Sequence, residues 1–139
     1  MTSQETAAKI AKEMFANDAF SQWLGIEQVE LGVGACKLRM TVRREMLNGF
    51  GIAHGAITYA LADSALAFAC NSQGRHAVSI ETGISHTQAV REGDTLIAIA
   101  VEEQLGNKVA FYRVRVLEEQ SGKVVALFTG TVYRSSRDW

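Results

Sequence analysis

Residues 54–74 read HGAITYALADSALAFACNSQG, an apolar run rich in alanine and leucine with one charged side chain, Asp63, near its middle. Alanine and leucine are the better helix formers, so the run is expected to be a single buried helix that begins at His54-Gly55 and ends near Asn71 and Gly74. Its apolar stretch is too short and too interrupted to cross a bilayer, and no membrane helix is expected elsewhere.

The flanks give this helix something to pack against. Upstream, Asn48-Gly49 and Gly51 mark Arg43 to Ala53 as a loop. Before that, Ile26 to Val42 reads as two strands around Gly32-Val33-Gly34, because Cys36, Leu38, Met40 and Val42 alternate with more polar neighbours. From Gln4 to Asn17, Ala7, Ile10, Ala11, Met14 and Phe15 recur at helical spacing, describing a short amphipathic helix. Downstream, four runs have strand character: Ala77 to Gln88, Thr95 to Gln104, Val109 to Glu118 and Val124 to Tyr133. Turns at Gly93-Asp94, Gly106-Asn107 and Ser121-Gly122 join them, which predicts an antiparallel meander. In the third run Ala110, Tyr112, Val114 and Val116 share one face while Arg113 and Arg115 take the other, as in a sheet with one solvated side. Thr95 to Val101 is apolar on both faces and is expected to be covered on both. The simplest layered solution is α+β, one antiparallel sheet curled around the central helix, in a single domain over residues 1–139.

Composition narrows the function. Hydrophobic residues make up 47% and charged residues 21% of the 139, and the net charge of −1 provides no field for nucleic acid. Cys36 and Cys70 lie far apart without a CxxC pairing, so neither a zinc knuckle nor a disulfide framework is indicated. Lys9, Lys12 and Glu13 interrupt the apolar residues of the N-terminus, unlike a signal peptide, and a cytoplasmic location is expected. His54, His76 and His86 are not spaced as metal ligands, and no GxGxxG or Walker pattern occurs, so no metal or cofactor is expected.

Between Glu45 and Arg75 the only Asp, Glu, Lys or Arg is Asp63. Its helical neighbours at three and four residues are Tyr59, Ala60, Leu66 and Ala67, none of which can neutralise it. A carboxylate buried without a partner costs several kcal/mol. Two readings follow. Asp63 is a structural carboxylate satisfied by Ser64, a backbone amide or an arginine from another strand, or it is a general base or nucleophile in a cleft. At the helix start, the first amides point backward without intrahelical partners, and Gly55 lets a ligand approach them closely. A carbonyl oxygen there would be polarised, as acyl transfer requires. The plainer alternative is that His54 merely caps the helix.

The spacing of these two features bears on assembly. At about 1.5 Å of rise per residue, the eight steps from Gly55 to Asp63 span roughly 12 Å, too far for one carbonyl to use both. Two central helices running antiparallel about a two-fold axis would bring Gly55 of one subunit toward Asp63 of the other, twice over. A shared site of this kind makes the dimer obligatory.

Met46-Leu47-Asn48-Gly49, His54-Gly55, Leu61-Ala62-Asp63 and Ala69-Cys70-Asn71-Ser72-Gln73-Gly74 together resemble the hotdog-fold thioesterases, in particular the phenylacetyl-CoA thioesterases of bacterial phenylacetate degradation. The resemblance covers nearly the whole chain. It implies a sheet wrapped around the helix, two subunits joined into a continuous sheet, dimers paired as a homotetramer, and an acyl-CoA substrate. By position, Asp63 matches the catalytic aspartate, Gly55 the residue whose amide polarises the thioester carbonyl, and Asn48 the amide that holds thioester or water. His54 matches a supporting histidine, Ser79 lies near a serine that orients water in some relatives, and Lys108 matches a turn close to the coenzyme A phosphates. Two departures accompany the match: Ala56 stands where a second glycine is frequent, and Ser85-His86-Thr87-Gln88-Ala89 replaces an apolar pair followed by Arg-Pro. The alternatives are a hotdog-fold enoyl-CoA hydratase or dehydratase using a histidine with an acid, and a non-catalytic acyl-CoA binding module.

Overall fold

Helix α1, Ser3–Ala16, starts at a capping box: the Thr2 side chain accepts from Glu5 N–H, and the Glu5 carboxylate accepts from Thr2 N–H. It buries Ala7, Ile10 and Ala11. A second helix, α2, Ala19–Leu24, was not evident from the sequence, because six residues are too few to display a helical period. Its ends are nevertheless explicit, with Asp18 accepting from Ser21 N–H and Gly25 taking a left-handed φ of 76° at the C-cap. The computed structural model describes all residues, 1–139.

Strands β1 (Glu27–Gly32) and β2 (Ala35–Thr41) form the expected hairpin, and a single turn of 3-10 helix at Arg44–Met46 leads into the loop before the central helix. That helix, α3, runs Gly55–Asn71 and is close to the expected span. Strands β3 (Arg75–His86), β4 (Thr95–Leu105), β5 (Val109–Glu118) and β6 (Val124–Asp138) complete a six-stranded antiparallel sheet of order β1-β2-β4-β5-β6-β3.

The meander expected of the four later runs holds for β4, β5 and β6 but not for β3, which pairs with β6 at the far edge. The reason lies at the Gly93-Asp94 turn. Gly93 N–H donates to Val42 O at 2.8 Å and Val42 N–H donates to Asp94 O at 2.9 Å, which ties the start of β4 to the end of β2. The chain therefore crosses the sheet between β3 and β4, and β3 is left on the edge beside β6. Within one chain the expected cover on both faces of β4 is partial. Leu96, Ala98 and Ala100 are buried toward the helix, but on the other face only Ile97 is buried, while Val101 is half exposed. Ile97 is flanked by its cross-strand partners Arg39 and Leu117 rather than by a second layer.

The core lies between α3 and the concave face of the sheet. Leu61, Leu66 and Phe68 of the helix meet Leu38, Met40, Val114 and Phe128 of the strands, all essentially inaccessible. Helix and sheet approach closely at Gly130 in β6, where an added Cβ would stand 2.6 Å from Leu66 Cδ2. Gly130→Val should therefore destabilise the fold by about 1–3 kcal/mol, since a packed core yields poorly to added volume. Urea unfolding checks this; an unchanged midpoint would mean that Leu66 moves aside freely.

Candidate active site

The start of α3 is organised around one free amide. His54 is the N-cap, and its Nδ1 accepts from Ala56 N–H at 3.0 Å. Ile57 N–H donates to His54 O at 2.9 Å. Gly55 N–H, in the first helical position, has no carbonyl one turn behind it within the helix and makes no other hydrogen bond. The capping role considered for His54 is thus realised, and it leaves Gly55 as the available donor at the positive end of the helix.

Asn48 faces the same space. Its Oδ1 accepts from Phe50 N–H at 2.9 Å and Ile52 N–H at 3.4 Å, which shapes the loop and leaves the side-chain NH2 unengaged. Asn48, Gly55, Thr58, His86 and Gln88 line a cleft of about 400 Å³.

Asp63 opens into a different cleft, of about 330 Å³, which it lines with Met14, Leu66, Cys70, Asn71 and Ser79. It makes no side-chain hydrogen bond and no ion pair. Each partner considered for a structural role is absent: Ser64 Oγ is engaged by Ser21 Oγ at 2.8 Å, and no arginine or backbone amide reaches the carboxylate. Burial raises its pKa above the usual 3.8. The only other nucleophile lining that cleft with a strong shift, Cys70, is held protonated: burial, with a smaller contribution from the Asp63 charge, pushes its thiol up to about 12.

The raised pKa of Asp63 has a consequence for stability. The protonated form is favoured in the fold, so the contribution of this group is greatest below its unfolded pKa and is lost as pH rises through the folded value. At neutral pH the ionised carboxylate is a liability, and Asp63→Asn should raise the melting temperature at pH 7, with the gain shrinking as pH falls through the raised folded value and gone below the ordinary carboxylate range. Paired thermal scans at several pH values test this; a lower melting temperature for Asp63→Asn at pH 7 contradicts it.

Ser79 comes beside Asp63 because Asn71, buried at the end of α3, grips β3. Its side chain donates to Ala77 O at 3.0 Å and accepts from Ala77 N–H at 2.9 Å. A bulge then follows between Ser79 and Glu81, at the kind of position where strands re-aim side chains. Lys108 is exposed in the β4-β5 turn and lines neither cleft; the turn is held by Arg75, which donates to Asn107 O, and by Arg134, which donates to Gly106 O at 2.6 Å. Within one subunit the structure therefore joins Asn48 with Gly55, joins Asp63 with Ser79, and leaves the two pairs and Lys108 apart. Sequence reading named Asn71 and His86 but gave neither a place in the site. A polar residue at the close of an apolar helix was the available signal for the first, whereas His86 could be assigned to the Gly55 cleft only once the register of β3 was known. No three His, Cys, Asp or Glu side chains gather as a metal-binding group, and no helix is long and apolar enough to cross a membrane.

A six-stranded antiparallel sheet wrapped around one long helix is the hotdog architecture. The chain belongs to the thioesterase superfamily, whose family model matches residues 50–125. Among its relatives is the acyl-coenzyme A thioesterase PaaI of Escherichia coli, 39% identical over 124 residues that cover 89% of this chain and 88% of that one. The structure of the E. coli PaaI protein from the phenylacetic acid degradation operon superposes with a TM-score of 0.95, covering 99% of both chains at 36% identity. Human acyl-coenzyme A thioesterase 13 is 28% identical over 130 residues, covering 91% of this chain and 93% of that one.

Proposed function

We propose that this thioesterase hydrolyses acyl-CoA thioesters, with phenylacetyl-CoA or related aryl and medium-chain acyl-CoAs as substrates, at a site shared between two subunits. The observation that carries the reading is Asp63, a half-buried carboxylate without a partner in its own chain, opening into a cleft. The names of the E. coli and human relatives support the acyl-CoA class, and the operon of the E. coli protein supports phenylacetyl-CoA.

In this reading the thioester carbonyl lies against Gly55 N–H and the Asn48 carboxamide of one subunit. Asp63 of the other attacks the carbonyl carbon directly or takes a proton from a water that does so. The tetrahedral oxyanion is held by the donors that polarised the carbonyl. Its collapse breaks the C–S bond and releases the CoA thiolate. By the water route the thiolate recovers the proton that Asp63 took and the free acid leaves; by direct attack a mixed anhydride of Asp63 and the acyl group remains until water hydrolyses it, which frees the acid, supplies the thiolate's proton and regenerates the carboxylate. Ser79 orients the water, His54 keeps the helix start in shape, and Lys108 contacts a coenzyme A phosphate.

Two features support assembly. Each cleft alone sits near the lower limit of ligand pockets, so one subunit offers little room for an acyl-CoA. Strand β3 is an edge strand whose Val78 and Ile80 are 64% and 62% exposed, the kind of unprotected edge that invites pairing with a second copy. A β3 to β3 junction would continue the sheet through a dimer, and the homotetramer pairs two such dimers.

The test offers purified protein phenylacetyl-CoA and a panel of other acyl-CoAs with a thiol reagent, and crotonyl-CoA with absorbance read at the conjugated double bond. Free thiol should appear and the crotonyl double bond should persist. No hydrolysis of any thioester would sink the proposal; loss of the double bond would favour the hydratase.

A further inference from the structure

The cleft at the start of α3 contains a side chain that the scheme above does not use. His86 ends β3, and a Cβ built on Gly55 would stand only 3.2 Å from its Nε2. The imidazole is exposed, and neither ring nitrogen has a hydrogen-bond or ion-pair partner in the chain. No Asp, Glu, Lys or Arg lines this cleft, so nothing competes for the ring by charge. Backbone pairing fixes the residue from below: His86 stands opposite Ala126 in β6, and Thr87 N–H donates to Val125 O at 2.9 Å. The histidine also falls within Ser85–Ala89, the segment that departs from the pattern of the resembling family.

We propose that His86 supplies an additional hydrogen-bond donor to the thioester carbonyl, from Nε2–H, alongside Gly55 N–H and the Asn48 NH2. The inference rests on the hydrolytic reading given above. A neutral imidazole has one N–H and one lone pair, and with Nε2 beside Gly55 and both residues lining one cleft, the Nε2–H tautomer places a second donor in that cleft. Donors aimed where negative charge develops act chiefly on the chemical step, because their interaction strengthens as the carbonyl oxygen becomes an oxyanion. The absence of a side chain at Gly55 has a second use in this arrangement, since any Cβ would press on the ring that must share the oxygen.

An apolar ring would fill the same volume, so the informative pair is His86→Phe, which keeps the ring and removes the N–H, and His86→Gln, which keeps a side-chain N–H. Steady-state hydrolysis of phenylacetyl-CoA should show kcat about 10- to 100-fold lower in His86→Phe with KM within about two-fold of wild type, and most of the loss restored in His86→Gln. The second readout is the infrared carbonyl stretch of phenylacetyl-CoA bound to Asp63→Asn. That band should lie below the free thioester and move back toward it when His86→Phe is added. Equal kcat and an unmoved stretch in His86→Phe overturn the proposal, as does an equal loss in both variants carried by KM. A wild-type enzyme that releases no thiol removes the hydrolytic reading instead, and the shift or constancy of the stretch then decides on His86 alone.

Discussion

Asp63→Asn should lower kcat for thioester hydrolysis by about 10²–10⁴-fold, the usual contribution of a positioned general base, and by at least as much if the carboxylate attacks directly. Asparagine keeps the shape of the side chain and removes both the negative charge and the basic oxygen. The loss should fall on kcat rather than on substrate affinity, because in the proposed site Asp63 acts on the carbonyl carbon, whereas the substrate carbonyl is held by the donors of the other cleft. The same substitution is expected to stabilise the fold at neutral pH, and the two effects together discriminate between explanations. A structural carboxylate would lose stability and activity in parallel, whereas a functional one loses activity while the protein becomes more stable. In wild type the acid limb of kcat/KM should lie above the ordinary carboxylate range, since burial raises the Asp63 pKa and only the ionised form is competent. A Asp63→Asn variant with near wild-type kcat, free of deamidated Asp63, would remove the residue from the chemistry.

Much of the fold was legible because its decisive element obeys a local rule. The run from Gly55 to Asn71 is apolar but for a few residues and rich in alanine and leucine, which reads as a buried helix, and the alternation in β2 and β5 matched their burial residue by residue. The partner of β3 was not legible. A turn signal such as Gly93-Asp94 says that the chain reverses, but only its hydrogen bonds to Val42 decide which strand lies alongside. The site divides in the same way. Asp63 and Gly55 could be singled out because a lone charge and a helix start are local features. His86 and Asn71 could not, because what matters about them is the contact they make, one with Gly55 and the other with Ala77, and those contacts depend on how β3 and α3 end up in register.

Activity should return when two inactive proteins are mixed. Asp63→Asn lacks the attacking half of the site, and a variant such as Gly55→Val, whose side chain would crowd both the free amide and His86, lacks the polarising half. If each site takes Asp63 from one subunit and Gly55 from the other, the two sites of a hybrid dimer are unequal: one carries both defects and the other carries neither. Random exchange of equal amounts makes about half of the dimers hybrids, each with one intact site of two, so the mixture should approach about one quarter of wild-type specific activity from parents that have almost none. A site contained within one subunit predicts no gain, because every subunit in the mixture still carries a defect. Exchange must be demonstrated independently, for instance by native mass spectrometry of an isotope-labelled and an unlabelled parent, and activity should rise in step with the hybrid fraction. Hybrids that form fully and remain inactive would mean that the roughly 12 Å along α3 is bridged in some other way, and the shared site would have to be abandoned.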